Sequence, residues 1–361
     1  MFNYVELFIA FLIALVATLL VTYPVKKMAI KLRAVDLPNR RKIHTEVTPR
    51  LGGIAIFIGA FLGALYLQPA HEHLPEILLG AIVILVTGAL DDRYSIRPVV
   101  KLTGQLIAAS FLISSGLIIE RITLPFIGMI DLGFFSVLIT VLWVVGITNA
   151  INLIDGLDGL ATGVSTFALA SIFIMALIDT QMMVAYLCIV LIGANIGFLY
   201  HNFYPAKIYM GDTGSNFLGY MIAVVSMLGL FKNIALFGFI IPVVILAVPI
   251  FDTLLAIVRR AYNKESIMIA DNKHLHYQLI AGGYSHRKAV LIIYAFSALF
   301  GGLAILFSFG TITTALIVTA FVLVLLHIFA ELAGVVMGGK RPVVDRLRKL
   351  LWKMKKSRDR E

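Results

Sequence analysis

Asn149, Asn152, Asp155 and Asp158 stand within one ten-residue window of the stretch NAINLIDGLDGLATG, two amides and two carboxylates in an otherwise apolar neighbourhood. They belong to a wider set of acids, Asp91, Asp92, Asp155, Asp158, Asp212 and Asp252, each at or just inside the end of an apolar run. An unpaired charge in such a place costs several kcal/mol, so a functional reading is the default. Taken singly, each acid could instead cap a helix, worth about 1 kcal/mol; Asp92, Asp158 and Asp212 all stand where a cap would serve. The adjacent pair Asp91 and Asp92 fits capping less well. Only one of two neighbouring carboxylates can cap while both repel, and a divalent cation or a cationic phosphate site would relieve that repulsion.

A second pattern, MGDTGSN around Asp212, places two glycines about Asp-Thr at a helix start, so that backbone amides can come close to an anion. It lacks the GxxxxGK[ST] spacing of a P-loop. Its hard oxygen donors, in a chain with no Cys/His pair at zinc spacing, favour magnesium or manganese. A third pattern is cationic: NRRKIH supplies Arg40, Arg41, Lys42 and His44, and DNKHLHYQ supplies Lys273, His274 and His276. Two residues apart, His274 and His276 would face different sides of a helix, so a loop or extended segment is expected there, offering donors to a sugar or a diphosphate. Oxygen ligands for a metal, anion-binding loops and cationic donors are the parts that phosphoryl transfer needs.

Such residues must be held by a membrane-embedded scaffold. Of 361 residues, 60% are hydrophobic and only 14% charged, with a mean hydropathy of +0.97; soluble domains average roughly 25% charged residues. Apolar runs recur at about 4–25, 51–68, 76–90, 99–119, 132–148, 160–178, 182–200, 214–231, 234–257, 288–308 and 311–332. Each approaches the length of about 20 apolar residues that crosses a bilayer as a helix. The expected fold is an all-α polytopic membrane protein with about 11 transmembrane helices, ten if two neighbouring runs are continuous. Residues 1–332 would form a single transmembrane catalytic domain with five cytoplasmic loops, and 333–361 a basic juxtamembrane tail. The first run ends in Lys26 and Lys27 without a small-residue cleavage site and reads as a retained span. The single cysteine, Cys188, lies inside an apolar run and excludes a disulfide framework.

With eleven spans, one side of the membrane carries 28 of the 30 Lys and Arg, and the other only Arg121 and Lys232. By the positive-inside rule the N-terminus is outside and the C-terminus cytoplasmic. Every polar cluster named above then lies on the cytoplasmic face. The stretch from Lys340 to Glu361, with ten basic and three acidic residues, suits anionic lipid at about 1 kcal/mol per basic residue and does not point to nucleic acid.

Five segments, DLPNRRKIHTEVTPRLGG, DDRYSIRPVVKLTGQ, NAINLIDGLDGLATG, HNFYPAKIYMGDTGS and DNKHLHYQL, follow in order between about Asp36 and Ser285. Together they resemble the motifs of the polyprenyl-phosphate N-acetylhexosamine-1-phosphate transferases. The resemblance implies cytoplasmic transfer of a sugar 1-phosphate from a UDP-sugar to a membrane-bound polyprenyl phosphate, with release of UMP and with Mg2+ or Mn2+. It implies Asp212 as a metal ligand and Asn152 as a second. Asp91 and Asp92 resemble the pair that deprotonates or positions the lipid phosphate, Asp155 joins them among the catalytic acids, and Lys101 resembles a phosphate-contacting lysine. Asp158 and Asn202 fall where nucleoside contacts are expected, and Tyr209 where an aromatic ring, usually Phe, stacks on uracil. His274 and His276, with His44, fall where the sugar and diphosphate are contacted. A departure is Tyr277, which follows His276 where many relatives continue a run of histidines.

The first loop and the HLH motif look like the N-acetylglucosamine-using branch; the phospho-muramoyl-pentapeptide branch usually reads PxHHHFE there. The implied substrates are UDP-N-acetylglucosamine and undecaprenyl phosphate. The implied setting is the bacterial cytoplasmic membrane, at the start of a cell-envelope polymer such as wall teichoic acid, and a homodimer is left open. Rival readings are the muramoyl-pentapeptide branch, another UDP-sugar donor and an ion-coupled transporter, which would carry its acids at the bilayer midplane rather than at one face.

Overall fold

The computed structural model describes residues 2–36, 47–124, 128–229, 240–262, 264, 274–308 and 312–332. His44 and the basic tail 333–361 lie outside the described residues. Helices stand at α1 (Tyr4–Lys31), α2 (Gly52–Leu67), α3 (Leu74–Tyr94), α4 (Pro98–Ser114), α5 (Phe135–Ile154), α6 (Leu160–Ile178) and α7 (Met182–Asn202). They continue with α8 (Gly211–Gly229), α9 (Ile240–Ile245), α10 (Ala247–Tyr262), α11 (Leu275–Ala281), α12 (His286–Ser308) and α13 (Ile312–Leu332). Two short antiparallel hairpins accompany them. In one, β1 (Val35–Asp36) pairs with β2 (Thr48–Pro49), and in the other β3 (Arg121–Leu124) pairs with β4 (Gly128–Asp131).

A helix stands at every apolar run, the ninth dividing at Leu246 into α9 and α10. Among the described residues, α1, α3, α5, α6, α7 and α12 are long and apolar enough to cross a membrane, and shorter apolar helices occupy Gly52–Leu67, Pro98–Ser114 and Leu316–Leu332. The chain is a mostly helical, polytopic membrane protein. The fourth run, apolar to residue 119, stops being helical at Ser114. There the amide of Gly116, in the left-handed region at φ 83°, bonds the carbonyl of Ile113 at 3.0 Å, and Leu117 N–H reaches back to Leu112 O at 3.0 Å. This double closure satisfies the last carbonyls and turns the chain into β3.

Helix α8 is the axis of the bundle. Gly211 and every residue from Thr213 to Gly229 are buried, and α2, α3, α5, α6 and α7 all pack against it. A helix apolar on all sides must be covered on all sides, yet the first turns of α8 also carry Thr213, Ser215 and Asn216, which need polar partners. Small residues let the neighbours come close enough to supply them. A Cβ on Gly53 of α2 would run into the backbone of Thr213 and Gly214, and one on Gly88 of α3 would meet Asp212 O at 2.7 Å.

The Gly53 contact yields a test by contrast. Gly53→Val should wedge α2 from α8 and lower stability by about 1–3 kcal/mol, whereas Gly146, whose Cβ would meet nothing within 4 Å, should accept Val. Thermal unfolding of both variants in detergent checks this, and equal melting temperatures would contradict it.

Candidate active site

The N-terminus of α8 starts without a side-chain cap of its own, because Gly211 stands there at φ 70°. Asp92, on the last turn of α3, supplies the cap from a different helix. Its Oδ1 accepts from Asp212 N–H at 2.9 Å, and its Oδ2 accepts from Thr213 N–H at 3.0 Å and from the Thr213 hydroxyl at 2.6 Å. Arg50 Nε lies 3.5 Å from Asp92 Oδ1. A Cβ at position 211 would collide with this carboxylate, so glycine is required there for space as well as for its φ. Asp92 is 6% exposed.

Asp91, one residue earlier, points elsewhere. Adjacent positions on a helix are about 100° apart, so while Asp92 turns to the α8 terminus, Asp91 meets the Lys101 ammonium at 3.2 Å. Lys101, on α4, also pairs with Asp212, on the first turn of α8. One cation therefore joins two carboxylates from two helices. Arg50 is the second cation: beside Asp92 it also feels the charges of Asp212, Asp36 and Asp155. It is set by segment 48–53, which runs from strand β2 into the first turn of α2 and bonds to backbone on both sides. Arg50 N–H donates to Ala34 O at 2.9 Å, Tyr209 N–H to Pro49 O at 2.8 Å, and the amides of Gly52 and Gly53 to Tyr209 O and Met210 O, both at 3.0 Å. Between them Leu51 is held at φ 82°, a conformation that costs a non-glycine residue about 1–2 kcal/mol.

Amides form a layer beneath these charges. Asn149 Nδ2 donates to Gln105 Oε1 at 2.8 Å, Gln105 Nε2 lies 3.3 Å from both Asn149 Oδ1 and Asn216 Oδ1, and Asn216 Nδ2 donates to Asp212 O at 2.8 Å. Asn152 Nδ2 donates to Ser215 Oγ at 2.8 Å, which leaves its side-chain carbonyl oxygen free of a protein donor among the described residues. Asp155 stands just past α5. Burial, reinforced by the charges of Asp212, Asp92 and Asp158 and opposed by Arg50, pushes its pKa up to about 7.

The remaining expected residues divide between the site and its supports. Asn202 is buried with both amide atoms in use, Oδ1 accepting from Thr162 Oγ1 at 2.8 Å and Nδ2 donating to Ile208 O at 3.0 Å. It holds the loop that carries Tyr209. Asp158 Oδ2 accepts from Ala206 N–H at 2.9 Å in the same loop. His274 and His276 are not in one loop: His274 is extended at the start of α11, and His276 lies in its first turn. That junction turns both rings the same way, parallel within 2° and 5.8 Å apart. His276 packs against Gly156 of the Asp155–Asp158 turn, neither of its ring nitrogens has a partner, and burial pushes its pKa down to about 4.

Arg50, Gln105 and Ser215 belong to the cluster although spacing alone does not single them out, and Asp252, one of the acids marked in the sequence, stands apart from it on His274. Arg50 precedes the Gly52-Gly53 pair, Gln105 stands one helical turn after Lys101, and Asp252 is a lone acid in an apolar run. Among the described residues no three His, Cys, Asp or Glu side chains are arranged to cage a metal by themselves. Magnesium does not require such a cage, since one or two carboxylates with substrate phosphates suffice. The donor set fits it: Asp91, Asp92, Asp155 and Asp212 outnumber Arg50 and Lys101, and the oxygens are hard.

Two outcomes follow from these contacts. Asp92→Ala leaves two amides and a hydroxyl without their acceptor and Arg50 without its counter-charge and should cost about 3 kcal/mol; Asp92→Asn keeps one acceptor oxygen and should cost less, as unfolding in detergent would report. Asp155, pushed up to a pKa of about 7 by burial, lies well above the ordinary 3.8 of an aspartate. Its neutral form therefore favours folding below pH 4, and this contribution is lost as pH rises through 7. In EDTA, wild-type melting should fall across pH 4–7 more steeply than that of Asp155→Asn; parallel curves would contradict the assignment.

The chain is similar to known membrane transferases along nearly its whole length. A family model described as glycosyl transferase family 4 matches residues 74–230. A Bacillus subtilis protein named probable undecaprenyl-phosphate N-acetylglucosaminyl 1-phosphate transferase is 44% identical over 96% of this chain and 98% of its own. A Mycobacterium tuberculosis decaprenyl-phosphate N-acetylglucosaminephosphotransferase is 38% identical over 80% of this chain and 79% of its own, and a Yersinia pestis undecaprenyl-phosphate alpha-N-acetylglucosaminyl 1-phosphate transferase is 29% identical over 76% and 77%. The matched family region contains the Asp91–Asp92 pair, Lys101, the Asn149–Asp158 stretch and Asp212. The chain thus belongs to glycosyl transferase family 4, the polyprenyl-phosphate N-acetylhexosamine-1-phosphate transferases whose five ordered motifs it carries.

Proposed function

We propose that this chain transfers N-acetylglucosamine 1-phosphate from UDP-N-acetylglucosamine to undecaprenyl phosphate, forming undecaprenyl-diphospho-N-acetylglucosamine and UMP. The observation that carries the reading is the meeting of Asp91, Lys101 and Asp212 from three helices beside Arg50 and Asn152. Such a set can neutralise several phosphate charges while holding two reactants in line. The product would begin a cell-envelope polymer, with wall teichoic acid the first candidate.

In this reading, Asp212 and the free carbonyl oxygen of Asn152 hold Mg2+ or Mn2+, which supplies Lewis-acid stabilisation of the diphosphate charge. Lys101 and Arg50 receive phosphate oxygens, and Asp91 orients or deprotonates the acceptor phosphate. An acceptor oxygen then attacks the β-phosphorus directly, the bond from that phosphorus to the UMP oxygen breaks, and UMP leaves with the electron pair. Asp92 serves by holding the α8 terminus rather than by touching substrate, because its two oxygens are engaged there. Tyr209 stacks on uracil, Asp158 meets the nucleoside and Asn202 sets their loop. His274 and His276, with His44, face the sugar and diphosphate. Asp155 stands between the nucleotide and metal regions.

The distribution of Lys and Arg supports about eleven spans, an N-terminus outside and a cytoplasmic site, in a bacterial cytoplasmic membrane. Residues 1–332 act as one catalytic domain, and 333–361 rest on anionic lipid.

The test is UMP release from UDP-N-acetylglucosamine by detergent-purified protein, which should require both undecaprenyl phosphate and Mg2+. Asp212→Ala should reduce release to background while the protein still melts cooperatively. Turnover without acceptor, or wild-type turnover in that variant, would overturn the reading.

A further inference from the structure

Asp252 and His274 form a buried pair outside the Asp91–Lys101–Asp212 cluster. Asp252 Oδ2 lies 2.9 Å from His274 Nδ1, Asp252 Oδ1 accepts from Leu275 N–H at 2.9 Å, and the two side chains are only 5% and 4% exposed. An ionised carboxylate has no proton to give, so the hydrogen in the first contact must reside on Nδ1. The ring is thereby set in one tautomer and one orientation, with Nε2 as the atom left for another partner. His274 gives no side-chain cap to α11, and Asp252 does so from α10 instead. One carboxylate therefore fixes both the ring and the helix that continues to His276. The parallel His276 ring then rests against Gly156, inside the stretch that holds Asp155 and Asp158.

We propose that Asp252 is a positioning residue of the transferase: it holds His274 in the Nδ1–H form with Nε2 turned toward the sugar diphosphate. The inference rests on the reading above in which His274 meets that part of the donor. When neutral, Nε2 accepts a hydrogen bond from a sugar hydroxyl. When protonated it donates to a phosphate oxygen, and the Asp252 carboxylate stabilises the cation, as an acid behind an active-site imidazole does in other enzymes. A carboxylate that only capped α11 would have no need of the imidazole.

Asp252→Asn separates the two roles. Its side-chain oxygen can still accept from Leu275 N–H, while its NH2 group faces Nδ1 and forces the hydrogen onto Nε2. The expected result is a fall in kcat for UMP release of roughly tenfold or more, with a smaller change in the KM for UDP-N-acetylglucosamine and an unchanged melting temperature. In a His274→Gln background, adding Asp252→Asn should change kcat by less than about twofold, since coupled residues are not additive. Wild-type kcat in Asp252→Asn, or independent multiplicative losses in the double variant, would overturn the proposal. A second readout does not depend on turnover: 15N spectra of histidine-labelled protein in nanodiscs should show His274 protonated at Nδ1 in the wild type and at Nε2 in Asp252→Asn. An Nε2–H tautomer in the wild type would overturn the proposal even if the variant failed to fold. Wild-type UMP release tests the transferase reading separately, because its absence would leave the tautomer result standing.

Discussion

A single buried carboxylate, Asp92, joins the end of α3 to the beginning of α8, and the geometry of the site depends on that join. The first turn of any helix has amides without intrahelical partners and a partial positive charge of about half an electron. Most helices satisfy these with a side chain one residue upstream. Here Met210 stands upstream and α8 opens with the side-chain-less Gly211, and the oxygen atoms come from Asp92, which accepts from two amides and one hydroxyl of α8. Because Asp91 and Asp212 are sequence neighbours of the joined groups, fixing one contact brings those two carboxylates to the same Lys101 ammonium. The capping contact thus sets the spacing of Asp91, Lys101 and Asp212.

Gathering four carboxylates in one place is costly, and the surrounding structure offsets the cost in three ways. Lys101 and Arg50 supply positive charge from α4 and from the strand-like segment ahead of α2. The α8 terminus supplies its amides. The Gln105–Asn149–Asn216 amide layer satisfies polar groups below the site without adding charge. Arg50 reaches its place only because Leu51 accepts a left-handed backbone, and the amide bonds on either side of it hold that conformation. Strain stored next to a charged site and held by a hydrogen-bonded frame is a recurring feature of functional centres.

A second platform stands beside the first. Asp252, His274 and His276 are supported by α10 and α11, and they meet the first platform at Gly156, where a side chain larger than hydrogen would displace His276. With separate supports, the loop that Asn202 and Asp158 hold and that carries Tyr209 is set independently of the Asp91–Lys101–Asp212 cluster. Asn202 spends both its amide atoms on that loop.

Much of this was legible before any coordinates. The apolar runs marked where helices would stand, since hydrocarbon admits backbone only when its hydrogen bonds are internally satisfied. Position also brought Asp91, Asp92, Asn152 and Asp212 into view, because charged and amide groups at the ends of apolar runs are too costly to be idle, whereas Lys101 came only with the family resemblance. What spacing could not do was divide their labour. Asp91 and Asp92 are indistinguishable as letters, and only packing turned one toward Lys101 and the other into the α8 terminus. In the same way Asn202 became a loop support, His274 and His276 became parallel across a helix start, Asp252 turned to His274, and Arg50 and Gln105 joined the site from segments with no shared periodicity. By itself the sequence determined which stretches enter the membrane and which residues are chemically able to act, because those follow from local hydropathy and residue type; which atoms meet was decided only in the folded bundle, where contacts between residues more than a hundred positions apart, such as Asp92 with Thr213, are made.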